Sequence, residues 1–149
     1  MDSLRVNSGI KNIEVNDNED YISIPISDAG FYERFGALMK NFESKQAEIE
    51  QRAKELSEKH KDKQNDDVDM IVDSIQLYAD LCRYTCTELD SLFGEGCCRK
   101  VFVGIQNPGV ELIADFFEQI TPLLNQYAQE RNQKIDLIYS RNRKGARSK

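Results

Sequence analysis

Seven side chains, Ile71, Ile75, Tyr78, Cys82, Thr85, Leu89 and Leu92, recur along one segment at steps of four and three residues. That spacing keeps one face of an α-helix free of charge from about Asp67 to Phe93. It is the strongest periodic signal in the chain, and it rules out folds built mainly from strands. A helix with such a stripe must bury it against other elements, so the other elements must supply matching apolar faces. Asp66, Asp67 and Asp69 sit at its expected start, where the helix dipole favours anions. Gly94 follows its end and suits a left-handed cap.

Two further helices are predicted. The first spans about 28–61, with Ser27 or Asp28 able to accept a free amide of the first turn. Phe35, Leu38, Phe42, Ile49 and Leu56 form its stripe, widened early by Phe31 and Met39. Its second half, "ESKQAEIEQRAKELSEKHKDK", is mostly charged and is expected to project from the body or meet another chain. "QNDD" at 64–67 should break it. The other helix spans 108–139, opened by Asn107 as N-cap and Pro108 in the position that needs no amide donor. Its stripe runs through Ile113, Phe117, Ile120, Leu124, Tyr127, Arg131, Ile135 and Ile138. Pro122 lies inside it and should kink or interrupt it between Glu118 and Pro122.

Ahead of the helices, residues 10–26 read as a β-hairpin. Ile13 and Val15 alternate with polar residues, as do Ile22, Ile24 and Ile26, and "NDNED" between them is turn chemistry. Pro25 lacks an amide and belongs at an edge. "LRVNSG" at 4–9 could add a third strand. The expected fold is mainly α with a small N-terminal β-hairpin (α+β), three long helices packed as a bundle, in a single domain over 1–139. Residues 140–149 are expected to form a flexible basic tail.

Charge is unevenly spread. The 149 residues carry a net −6, but the last ten hold five basic side chains and no acid, leaving 15 − 26 = −11 on the first 139. An acidic body argues against nucleic-acid binding, except through the 140–149 tail. No apolar run approaches the roughly 20 residues of a membrane span, and "MDSLRVNSGI" lacks the layout of a signal peptide. The sequence therefore predicts a cytoplasmic protein with reduced thiols.

The stretch that most resembles chemistry is "LFGEGCCRKVFVGIQNPG", residues 92–109. Its glycines match neither a phosphate loop nor a dinucleotide fingerprint. A helix cap followed by a short apolar connection explains them. Cys82 and Cys86 are four apart on a helix and Cys97 and Cys98 are adjacent, which is poor spacing for a zinc knuckle. No Cys-x-x-Cys pair is present to activate a thiol. His60, the single histidine, lies in the charged run "SEKHKDK". Glu111, Asp115 and Glu118 are spaced as a solvated helix face. No catalytic, cofactor-binding or metal-binding residues are nominated, and the expectation is a protein that is not an enzyme. The aromatic residues Phe93, Phe102, Phe116 and Phe117 are read mainly as core. Adjacent Phe116 and Phe117 point about 100° apart, so some of this set, together with Ile49 and Leu56, is the candidate partner-binding surface.

With "IEVNDNEDYISIPI", "LFGEGCCRKVF", "ADFFEQITPLL" and "YAQERNQKIDLIYSRNRKG" in hand, the chain resembles small proteins encoded among the tail genes of long-tailed bacteriophages and prophages, and in particular the tail assembly chaperones. The resemblance covers roughly residues 10–145 and is one of layout and phrase, without a catalytic motif. It implies a mostly helical domain with a small N-terminal sheet that coats the tape measure protein in the host bacterial cytoplasm before the major tail protein polymerises around it. It also implies self-assembly into rings or filaments, no cofactor, and absence from the finished particle. A longer frameshifted product is a habit of that family which a single translated chain does not display. Two alternatives stand beside it: a structural tail or virion component, and a small regulatory module whose basic tail contacts nucleic acid.

Overall fold

The computed structural model describes residues 1–59 and 67–147. Expectations that fall on 60–66, including the surface position of His60 and most of the "QNDD" break, lie outside the described residues, as do the side chains of Leu56 and Ile71. The order is β1 (Ile10–Glu14), β2 (Tyr21–Pro25), α1 (Ala29–Lys59), α2 (Asp67–Phe93), α3 (Cys97–Val101) and α4 (Val110–Arg147). The fold is thus mostly helical with an N-terminal hairpin, and four helices follow the hairpin instead of three.

β1 and β2 pair antiparallel, with Ile13 opposite Ile22 and Ile10 opposite Pro25. The alternation works as expected: Ile22, Ile24 and Ile26 point inward and are buried, while Tyr21 stays exposed. The turn is organised by Asn16, whose side-chain oxygen accepts the amides of Asn18 (2.8 Å) and Asp20 (3.3 Å). That arrangement holds Glu19 at φ 66°, a left-handed position expected of Asn or Asp. Residues 4–9 do not form the third strand, and Leu4 and Val6 are exposed.

Asp28 caps α1, its carboxylate accepting the Gly30 amide at 2.9 Å. Phe31, Phe35, Leu38, Phe42 and Ile49 line the buried face, and Ile49 is its last buried position among the described side chains. In α2 the stripe is buried at Cys82, Thr85, Leu89 and Leu92, but Ile75 is 63% exposed. α4 begins at Val110, not at Pro108, and continues past 139 to Arg147. Residues 140–147, expected as part of a basic tail, continue the helix. The helix also runs through Pro122 uninterrupted. Pro122 and Glu118 are both exposed, so the carbonyl deprived of its amide partner is beside solvent.

The centre is aromatic. Phe93 meets Phe31 edge-on at 5.4 Å and Phe116 at 5.7 Å, and Phe117 joins Phe35 at 5.8 Å and Phe42 at 5.3 Å. One ring from α2 and two from α4 thus close over three from α1. Edge-on pairs of this kind add about 0.5–1.5 kcal/mol each beyond the area they bury.

Candidate interaction surface

The connection from α2 to α4 shapes the surface. Gly94, at φ 110°, ends α2 and donates its amide to the Asp90 carbonyl at 3.0 Å. The Asp90 carboxylate then accepts the Cys98 amide at 2.9 Å, holding the start of α3 against α2. α3 is a single short helix where the sequence predicts a short apolar connection. Its five residues are too few to display a period. Asn16 ties the hairpin to it, donating to the Lys100 carbonyl at 2.9 Å. At the far end Gly109 accepts the Ile113 amide at 3.2 Å and so opens α4. A Cβ at Gly109 would lie 2.6 Å from Glu111 Oε2, so glycine leaves room for that carboxylate beside the start of α4.

The thiols sit beneath this connection. Cys97 and Cys98 are both buried, as is Cys82. Burial pushes the Cys82 thiol up to about 11 and the Cys97 thiol up to about 12, which keeps both neutral at physiological pH. Cys98 is raised, first by its hydrogen bond with Cys86 and then by burial, while that same bond lowers Cys86. Among the described residues no group of three or more His, Cys, Asp or Glu side chains is arranged to hold a metal ion.

The nominated partner-binding residues are placed in the interior. Phe93, Phe102, Phe116, Phe117 and Ile49 are all buried by the chain's own helices. Adjacent Phe116 and Phe117 both find cover, Phe117 against Phe42 of α1 and Phe116 against Phe93 at the end of α2 and Phe102 just after α3. The correction is therefore to the surface they were assigned, and Leu56 falls outside the described side chains.

The exposed apolar residues lie elsewhere. Val103 and Ile105, on the loop after α3, are 52% and 46% exposed. A groove opens on each side of that loop. The first, about 910 Å³, lies between the hairpin turn, the loop and α4, with Ile13, Val15, Leu112 and Leu123 in its wall and Glu14, Asp17 and Asp115 at its polar positions. Among the described residues no lysine or arginine lines it. The second, about 1140 Å³, runs along α2 past Ile75, Tyr78 and Cys86 to Val110 and carries both signs of charge, from Arg83, Arg99, Asp90 and Glu111. Sequence reasoning missed these positions. The signal was present as the alternation Val101, Val103, Ile105, in which only Val101 is half-buried and the next two face outward.

No described helix is long and apolar enough to cross a membrane. These features define a small, mostly helical protein with an N-terminal hairpin and two open apolar grooves. The chain belongs to a family of unknown function (DUF6673), whose model matches residues 16–149. No curated protein and no solved structure matches it.

Proposed function

We propose that this chain is a non-enzymatic phage tail assembly chaperone that holds helical segments of the tape measure protein in the groove along α2. The observation that carries the reading is the open groove of about 1140 Å³ whose wall includes Ile75, 63% exposed. Grooves of this kind accept an amphipathic helix by taking its apolar face, and mixed charge at the rim suits a partner carrying both signs. The resemblance of residues 10–145 to tail-gene proteins supplies the identity of that partner. In this reading the protein works in the host cytoplasm and Pro122 bends α4, setting the angle at which its end leaves the body.

Co-expression with the tape measure protein encoded beside it tests the reading. Pull-down should recover a complex, and Ile75→Asp should abolish it while circular dichroism stays unchanged. Mass spectrometry of purified particles should find the chain absent. Its stoichiometric presence there would favour the structural-component alternative.

A further inference from the structure

We infer that Cys86 is a peroxide-reactive site and that Cys98 resolves it, so that oxidation joins α2 to α3 through a reversible disulfide. Both residues line the groove of about 1140 Å³ along α2. The Cys98 Sγ donates to the Cys86 carbonyl at 3.6 Å, and the two side chains are hydrogen-bonded to each other. The fold thus sets two thiols side by side although 12 positions separate them in the chain. The Cys98 backbone is fixed as well, because its amide donates to the Asp90 carboxylate at 2.9 Å. From hydrogen-bonding contact, only a short movement brings the sulfurs to the ~2.05 Å of a disulfide.

Surroundings separate the two roles. Cys86 is half-buried, whereas Cys82, Cys97 and Cys98 are buried. The hydrogen bond from Cys98 lowers Cys86, outweighing burial and the Asp90 carboxylate, which act in the other direction. Cys98 is raised by the same bond and then by burial. Since the thiolate is the nucleophile, Cys86 reacts first and Cys98 keeps its proton for the second step. The remaining thiols are badly placed. Cys97 is not among the residues lining the groove, and burial holds its thiol up at about 12. As chain neighbours, Cys97 and Cys98 have Cα atoms about 3.8 Å apart, short of the roughly 4.4 Å at which disulfides begin. Cys82 borders the groove one turn before Cys86, but it is buried and its thiol is pushed up to about 11.

The oxidant is a peroxide. The Cys86 thiolate attacks one peroxide oxygen: an S–O bond forms, the O–O bond breaks, and the departing hydroxide takes up the proton released by Cys86 and leaves as water. The Cys98 sulfur then attacks the Cys86 sulfur. An S–S bond forms, the S–O bond breaks, and the hydroxyl leaves as a second water with the proton of Cys98. Each sulfur gives up one electron and the peroxide takes both, so two thiols and one hydrogen peroxide become one disulfide and two waters. Closing the cross-link removes the sulfenic acid before a second peroxide can oxidise it irreversibly, and a dithiol reductant reopens it. The oxidised form ties α3 to α2, and with α3 the hairpin that Asn16 holds to the Lys100 carbonyl. This chemistry is independent of what the groove binds.

Peptide mapping of the full chain, first reduced and then treated with hydrogen peroxide, tests the inference. Free thiols should fall from four to two, with Cys86 and Cys98 recovered in one cross-linked pair of peptides and Cys82 and Cys97 still open to alkylation after unfolding. Dithiothreitol should restore all four. In Cys98→Ser no resolving thiol remains, so a cyclic diketone probe should label a sulfenic acid at Cys86. In Cys86→Ser neither cross-link nor label should form. Four thiols persisting under excess peroxide would overturn the inference, and so would a cross-link between any other pair or only between separate chains. The wild-type map decides the matter even where a serine variant fails to fold.

Discussion

The two halves of α4 belong to one helix and share one apolar period, but their surroundings differ completely. From Ile113 to Leu124 the stripe is buried among Phe35, Phe42, Phe93 and Phe102. From Ile135 onward it is half-buried or exposed, although the sequence repeats at the same spacing. The difference shows that periodicity assigns a face to a helix but does not assign what lies opposite. In the first half the opposite surface is α1 and α2. In the second half the chain leaves Ile135 half-buried and Ile138 exposed.

The comparison can be broken most severely in the first half. Phe117→Ala removes a ring that contacts Phe35 and Phe42 and leaves a cavity between α1 and α4. It should cost about 3–5 kcal/mol, read from chemical denaturation, and a loss below about 1 kcal/mol would mean that this core is not formed as described. Asn16→Ala is next. It removes the acceptor for two turn amides and the donors to Asp20 and to the Lys100 carbonyl, so hairpin and α3 should loosen together at about 1–3 kcal/mol. Hydrogen exchange should show increased opening at both places at once.

Alkaline pH addresses the same core by a different route. Cys82 and Cys97 have folded-state values of about 11 and about 12, above the ordinary 9.0 of an unfolded thiol. A raised value favours the neutral thiol in the folded state. The stabilisation is fully present below pH 9 and is lost as pH rises through 9 towards 11 and 12, since the unfolded chain ionises first. Each thiol contributes at most about 1.4 kcal/mol per pH unit to that slope. Denaturation midpoints across that window should fall less steeply in Cys97→Ala than in the wild type, and equal slopes would contradict the burial of this thiol. The smallest effect belongs to the free half of α4. Leu137→Asp should change the stability of the monomer by no more than about 0.5 kcal/mol, measured at a concentration too low for association. A loss of several kcal/mol would show that the end of α4 packs within its own chain.

Much of the fold was legible because its elements carry local signals. The hairpin announced itself through Ile22, Ile24 and Ile26 around a turn rich in Asn and Asp, and α1 through its cap at Asp28 and its ring-bearing stripe. Other parts were hidden for physical reasons. The five residues of α3 are fewer than two turns, so no period develops there. The start of α4 was misplaced because Asn107 and Pro108 carry a strong capping signal, yet the chain reaches helical geometry only after Gly109. The candidate surface was misread in the same way. Large aromatic side chains suggest either a core or an interface, and their type does not distinguish the two; burial by α1, α2 and α4 settled it as core.

The sequence by itself determined the helical character, the hairpin, the faces that turn inward and the split between an acidic body and a basic end, because these follow from residue type and spacing along the chain. Tertiary structure alone decided which inward faces find cover within the molecule. It buried Phe93, Phe102, Phe116 and Phe117 together and left Ile75, Val103, Ile105 and Leu137 outside. Burial is a relation between segments distant in the chain, and local pattern carries no record of where a neighbouring helix ends.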